Sequence, residues 1–212
     1  MMKTYKTLLK AASDEVVINK SRFIGHAAPV KTAEEALDFL GRIRSQYRDA
    51  SHNCYAYIIG QNAGIMRYSD DGEPGGTAGM PIIEVMKARG VVDCAVVVTR
   101  YFGGVLLGAG PLLRAYQGTA KLALAAAGIS VVRRWMELTI PCGYSLLGKI
   151  TQEIPVWDGV VLDTEYGADV VIKALLPEGK EGDFAKRVLD LTAGTVQTAV
   201  TGETLKAVPV SG

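Results

Sequence analysis

The segment "VVDCAVVVTRYFGGVLLGAGP", residues 91–111, indicates the fold most clearly. It starts with the most apolar extended run of the chain, which predicts a strand in the centre of a sheet. The glycine-rich connection 103–110 follows, and Pro111 is suited to the first position of a helix that Gly128 would end. The segment therefore predicts a buried strand, a glycine-rich loop and a helix in direct succession.

A similar arrangement lies immediately upstream, in "SDDGEPGGTAGMPIIEVMKARG", residues 69–90. Four glycines fall within positions 72–79, and Pro81 and Gly90 are placed to begin and end a helix. The sequence thus predicts two helices that are both entered through glycine-rich loops.

The rest of the first 130 residues alternates between extended and helical patterns. Residues 4–12 and 14–30 read as strands interrupted by turns at "SDE" and "NKSR". Thr32 and Glu35 have the spacing of a capping box before an amphipathic helix. The runs "SHNCYAYIIG" and "IMRYSDD" predict two more strands before the first glycine loop.

A second pattern begins near residues 129–134 and has the order βαββαβ, with a hairpin near Tyr166 and Gly167. This order is that of a ferredoxin-like domain, in which Trp135 and Trp157 are expected to pack. Residues 1–130 carry 15 basic and 11 acidic side chains, whereas residues 131–212 carry 8 and 11. We therefore expect an α+β protein with domains at residues 1–130 and 131–212.

Composition narrows the functional classes. The net charge is +1 and the pI is about 7.7, so no overall field attracts nucleic acid or membranes. The longest uncharged apolar run, residues 122–132, is too short to span a bilayer, and the first residues lack a signal-peptide pattern. Three separated cysteines favour neither disulfides nor structural zinc. We expect a cytoplasmic protein without membrane contact, cofactor or metal; the sequence does not indicate its oligomeric state.

The two predicted helix entrances could bind an anion, because a helix N-terminus exposes free amides and partial positive charge. Arg114 lies in the first turn of the second helix, where a cation opposes the dipole unless an anion lies between them. Aromatic residues adjoin several arginines, as in surfaces that hold single-stranded RNA. The predicted anion- or nucleic-acid-binding residues are Arg67, Gly75, Gly76, Thr77, Arg100, Tyr101, Gly103, Gly104, Gly110, Arg114 and Lys121.

Other interpretations of the same residues remain open. The loops could be tight turns whose own acids occupy the helix end. Neither a P-loop nor a dinucleotide fingerprint is present. His52 and Cys54 share a strand face, yet backbone rise separates them by about 6–7 Å, so a buried cysteine and a core histidine are favoured over a dyad. The candidates for an alternative enzymatic role are His52, Cys54, Asp70, Asp71 and Glu73, of which the three acids could also bind magnesium but more often form a solvated turn.

Four stretches resemble the YigZ/IMPACT family when taken together and in this order. They are "KSRFIGHAAPVKTAEEALDFL", "DASHNCYAY", "YSDDGEPGGTAGMPI" and "VVVTRYFGGVLLGAGPLLRAY". The chain departs from the family pattern at Gly75 and at Pro111, which removes one amide from the second helix entrance. The second domain is similar to the family's bacterial C-terminal domain, more loosely.

The resemblance implies a first domain of the βαβ type found in the fourth domain of elongation factor G and in a small-subunit ribosomal protein. It implies a second domain like the ferredoxin-like fifth domain of that factor. Eukaryotic members of the family regulate translation under stress and have an additional N-terminal domain, for which this chain has no room, so their partner is not carried over.

Three hypotheses follow. The first is a non-enzymatic regulator of translation that binds ribosome, RNA or a translation-associated protein through a basic, glycine-rich face. The second is an enzyme that acts on a phosphorylated small substrate in the same cleft. The third is a scaffold whose loops contact protein partners through backbone groups.

Overall fold

A computed structural model describes residues 4–209 of the chain and shows a mixed α+β protein, as predicted. The chain forms two compact units, residues 5–132 and residues 133–206. In the described part of the chain, no helix combines the length and the apolar character needed to cross a membrane.

The first unit is built on an antiparallel sheet with the strand order β2-β3-β6-β4-β5. The predicted central strand, β6, occupies the middle position and is almost entirely buried. The turn predicted at "SDE" is wrong, because these residues lie within β2. The turn predicted at "NKSR" is confirmed, since the chain turns at Asn19 and Lys20 between β2 and β3. The strands are β2 (Ala12–Ile18), β3 (Ser21–Pro29), β4 (His52–Ile59), β5 (Ile65–Ser69) and β6 (Cys94–Tyr101), and a short strand, β1 (Tyr5–Leu8), pairs with residues 129–132.

Three helices cover the two faces of this sheet. Helix α1 (Ala33–Gln46) packs on one face and is capped by Thr32, whose hydroxyl accepts a hydrogen bond from the Glu35 amide at 3.1 Å, as predicted. Helices α2 (Gly79–Arg89) and α3 (Ala109–Ala127) pack on the other face. Both begin two residues before the predicted proline, because the third helical position also lacks an intrahelical partner for its amide and so tolerates proline.

The second unit follows the predicted order βαββαβ, with the sheet order β10-β7-β9-β8. Its core lies between this sheet and its two helices, where Trp157 meets Phe184 edge to face with ring centroids 6.2 Å apart. Trp135 is also buried. The elements are β7 (Ile129–Cys142), α4 (Tyr144–Val156), β8 (Val160–Tyr166), β9 (Val170–Pro177), α5 (Glu181–Leu191) and β10 (Ala199–Pro209).

Two glycines of the predicted loops are required because other backbone passes close to them. A Cβ on Gly79 would lie 2.7 Å from the Ser69 carbonyl, and one on Gly103 would collide with the Lys20 carbonyl. A Cβ on Gly75, in contrast, would meet no atom within 4 Å. The loops therefore contain both structurally necessary and structurally free glycines.

We expect Gly103→Ala to lower the free energy of unfolding by about 2–3 kcal/mol, because the turn between β2 and β3, which contains Lys20, must move away from the added methyl group. Gly75→Ala is the matched control in the other glycine-rich loop and should change stability by less than about 0.5 kcal/mol. Urea unfolding followed by circular dichroism measures both. Equal effects of the two substitutions would contradict this packing argument.

Candidate functional site

A cleft of about 420 Å³ opens between the two glycine-rich loops of the first unit. Gly72, Glu73 and Pro74 form one rim, and residues 106–109 form the other. His52 and Arg100 line its base, on neighbouring strands of the sheet. The fold thus brings the two loops to one place, with Arg100 between them.

The guanidinium of Arg100 is not a free cation, because Glu73 neutralises it. Their side chains are only 6% and 3% exposed, and the Arg100 nitrogen lies 2.7 Å from Glu73 Oε1. Tyr116 of α3 donates its hydroxyl to the same oxygen at 2.6 Å, and burial raises the pKa of this phenol. The rings of Phe23 and Phe102 lie 5.3 and 5.4 Å from the guanidinium carbon. An external anion would therefore have to compete with a buried carboxylate for Arg100.

His52 lies opposite Arg100 in the β4–β6 register. Its Nδ1 is 2.9 Å from the Asp71 carbonyl oxygen, which can only accept, so Nδ1 carries the proton. Its Nε2 points toward Glu73 and lies 3.9 Å from Oε2. The imidazole is thus held in one orientation beside the carboxylate, at the edge of the cleft.

Cys54 is fully buried and belongs to the core between the sheet and helices α2 and α3. Its thiol donates to the Asp70 carbonyl at 3.0 Å, and burial raises its pKa to about 12. A thiol with this pKa is not a nucleophile near neutral pH. The geometry matches the interpretation of Cys54 as a small core residue. It does not support a catalytic dyad between the Cys54 thiol and the His52 imidazole.

The first helix entrance is occupied by the protein's own acid. Asp70 Oδ1 accepts hydrogen bonds from the amides of Ala78 and Gly79 at 3.0 and 2.8 Å, and Oδ2 accepts one from Gly76 at 2.9 Å. The hydroxyl of Thr77 is also used internally, since it donates to the Pro74 carbonyl. The Asp70 cap corrects the hypothesis that these amides are open to an external anion, because a carboxylate already satisfies them.

The neighbouring acid, Asp71, has structural contacts as well. Oδ1 lies 2.6 Å from Arg44, and Oδ2 accepts the Asn53 amide at 2.7 Å. Within residues 4–209, no group of three or more His, Cys, Asp or Glu side chains is arranged to hold a metal ion. The acids of the loop thus fix its conformation and attach it to β4 and α1.

The second entrance differs from the first. Gly108 precedes α3 without a side-chain cap, and Gly104 and Gly108 both have positive φ values, 79° and 76°, which favour glycine. The exposed Arg114 folds back over the helix start, with a nitrogen 3.6 Å from where a Cβ on Gly110 would stand. The start of α3 therefore faces the cleft beside a surface guanidinium.

The remaining predicted residues do not all share this face. Tyr101 and Arg67 lie on the α1 side of the sheet, where Tyr101 donates to Asp49 at 2.7 Å. Neighbouring residues of a strand point to opposite faces, so this alternation already predicted that Arg100 and Tyr101 separate. Lys121 lies on the outer surface of α3, away from the cleft.

Tyr116 and Phe102 were not among the binding residues predicted from the sequence, and Glu73 was a candidate only for catalysis, for magnesium or for a solvated turn. Glu73 pairs with Arg100 although the two residues are 27 positions apart in the sequence, and Tyr116 donates to the same carboxylate. Arg100 occupies a position of β6 whose side chain faces the core, as the alternation along the strand predicts. A buried cation requires an acidic partner, so this position was the available signal that such a partner exists.

We expect Glu73→Ala to destabilise the protein by about 3–5 kcal/mol, because it leaves the Arg100 charge buried without a partner. Glu84→Ala is the matched control, since Glu84 pairs with Lys87 on the exposed surface of α2 and should cost less than about 1 kcal/mol. Urea unfolding provides the comparison. Similar losses from both substitutions would show that the buried pair contributes no more than an exposed one.

We also expect Cys54 to resist alkylation by iodoacetamide at pH 8, because a pKa of about 12 leaves almost no thiolate. The same protein in guanidinium chloride should react readily at this position, and peptide mass spectrometry distinguishes the two cases. Rapid native modification of Cys54 would restore it as a candidate nucleophile.

The site lies in a region that matches a known family. Residues 19–124 match the Impact N-terminal domain, and residues 140–195 match a domain of unknown function, DUF1949. The IMPACT family member YvyE of Bacillus subtilis is 40% identical over 92% of this chain and 89% of its own length. The IMPACT family member YigZ of Escherichia coli is 36% identical over 90% of this chain and 95% of its own length.

A solved structure supports the same relationship. A crystal structure described as that of a hypothetical protein covers 95% of this chain and 99% of its own, with 32% identity and a TM-score of 0.60. The matches extend over both units and include both glycine-rich loops. The chain therefore belongs to the IMPACT family.

Proposed function

We propose that this protein is a non-enzymatic, translation-associated regulator that binds RNA, in the ribosome or free, through the outer surface of helices α2 and α3. Membership of the IMPACT family supports a role related to the regulation of translation. The choice of surface comes from the distribution of charge on the first unit.

The proposal rests on the difference in charge between the two helical faces of the first unit. Helices α2 and α3 together bear four cations and one acid, whereas α1 bears three acids and two arginines. Lys87 pairs with Glu84, and no carboxylate within residues 4–209 forms an ion pair with Arg89, Arg114 or Lys121. Unpaired cations on one surface favour contact with phosphates.

A groove between these helices brings two of the cations together. Arg89 and Lys121 line this groove of about 330 Å³, and Glu84 and Gln117 also border it. Arg114 is the sixth residue of α3 and lies seven residues before Lys121, which places both on the same side of the helix. We define Arg89, Arg114 and Lys121 as the basic surface, which replaces the broader predicted face that also included Arg67, Arg100 and Tyr101.

The alternative, an enzyme acting on a phosphorylated substrate in the cleft, has less support. Asp70 caps a helix, Asp71 is engaged with Arg44 and Asn53, and the Cys54 thiol is buried. Glu73 already neutralises Arg100, so the base of the cleft offers no surplus positive charge for a phosphate. We therefore place the binding function first.

We expect purified ribosomes and a single-stranded RNA to bind the protein with a strong salt dependence. Arg89→Ala with Lys121→Ala should weaken binding at low salt and reduce the slope of log K against log salt by about 1–2 for RNA, because two phosphate contacts are lost. Cosedimentation measures the ribosome, and fluorescence anisotropy measures the RNA.

Arg42→Ala with Arg48→Ala is the matched control, because it removes two exposed cations at α1 and the turn after it. This variant should keep the affinity and the salt slope of the parent protein. An absence of binding to both ribosome and RNA would refute the proposal, and equal losses in the two double variants would refute the assignment of the surface.

A further inference from the structure

One oxygen of the buried Glu73 carboxylate faces the cleft without a hydrogen bond. Oε1 accepts from Arg100 and Tyr116, whereas in the part of the chain that the structure describes no donor is bonded to Oε2. His52 Nε2 is 3.9 Å from Oε2, beyond hydrogen-bonding distance. Oε2 is not fully buried, so a ligand in the cleft can reach it and donate a hydrogen bond to it.

The charges at the base of the cleft favour a neutral donor. Arg100 already cancels the charge of Glu73, so an ammonium ion would also face a guanidinium. Because His52 Nδ1 donates to the Asp71 carbonyl, Nε2 is the ring nitrogen left to accept a hydrogen bond beside Oε2. The base of the cleft therefore matches an uncharged group that carries two neighbouring donors.

The walls of the cleft favour a flat and largely apolar body. The cleft is lined by Phe102, Leu106, Leu107 and Leu112, and Phe102 is 47% exposed. A volume of about 420 Å³ is within the range of small-ligand pockets. An aromatic heterocycle could pack against the Phe102 ring and still reach the two acceptors.

We infer that the cleft binds an unpaired guanine base, whose N1–H and N2–H groups donate to Glu73 Oε2 and His52 Nε2. Guanine presents two adjacent donors on its Watson–Crick edge, whereas adenine and cytosine place an acceptor next to their amino group and uracil offers one N–H between two carbonyls. The RNA source of this base rests on the proposed function, in which the basic surface holds the phosphates.

Labelled pentamers UUGUU, UUAUU and UUIUU, where I is inosine, test the base directly by fluorescence anisotropy. UUGUU should bind at least about tenfold more tightly than UUAUU, as expected for two hydrogen bonds to a base edge. Inosine lacks the N2 amino group and should have an intermediate affinity. Equal affinities for all three pentamers would overturn the guanine inference while leaving salt-dependent RNA binding, and so the proposed function, in place.

Phe102→Ala tests the position of the base and should weaken binding of UUGUU about tenfold through lost stacking. Tyr166→Ala is the matched control, because it removes another exposed aromatic ring, at the end of β8. Circular dichroism checks that both variants are folded. An effect of Tyr166→Ala as large as that of Phe102→Ala would overturn the assignment to the cleft.

Guanosine alone, measured by isothermal titration calorimetry, separates a free nucleoside from RNA as the source of the base. Guanosine that binds and is weakened by Phe102→Ala, together with tighter binding of UUGUU, supports the inference as stated. Guanosine that binds when no pentamer does would keep the guanine site but overturn single-stranded RNA as the source of the base, and ribosome cosedimentation would then decide the proposed function separately.

Discussion

The buried ion pair between Arg100 and Glu73 is the interaction on which the site depends. It connects β6 to the loop before α2, and Tyr116 adds α3 through a second hydrogen bond to the same carboxylate oxygen. Ser21 of β3 lies 3.3 Å from the other guanidinium nitrogen. Moving either charge out of water is costly, so these elements must meet in one geometry for the pair to be tolerated. The position of the cleft follows from that requirement.

The same pair decides the electrostatics of the cleft. Without Glu73, Arg100 at the end of β6 would be an evident anion site. With Glu73, the base of the cleft is nearly neutral and lies between apolar walls. Excess positive charge is found instead on the outer surfaces of α2 and α3. The first unit thus separates a surface suited to phosphates from a cleft suited to a neutral ring.

The two glycine-rich loops illustrate how similar sequences acquire different roles. The first loop contains its own acid, and Asp70 satisfies three amides at the start of α2. The second loop has no acid, and no side chain caps the start of α3. The apolar residues of this loop form a wall of the cleft. Gly79 and Gly103, one from each loop, are required for close backbone contacts, so glycine content alone does not indicate ligand binding.

The sequence by itself determined much of the architecture. Apolar alternation, the Thr32 cap and the glycine stops at Gly90 and Gly128 act within a few residues, so they identified the helices, the central strand β6 and the βαββαβ order of the second unit. The motif order also indicated the family. The starts of α2 and α3 lie two residues before the predicted prolines, since proline is compatible with several positions of the first turn.

Only the tertiary structure decided which charges are free. The pairing of Arg100 with Glu73, the capping of α2 by Asp70 and the separation of Tyr101 from Arg100 depend on strand register and loop path. These contacts join residues that are distant in sequence or lie on opposite sheet faces, and local patterns carry no information about such distances. The sequence therefore identified the residue types of the site, whereas the fold determined which of them remain available to a ligand.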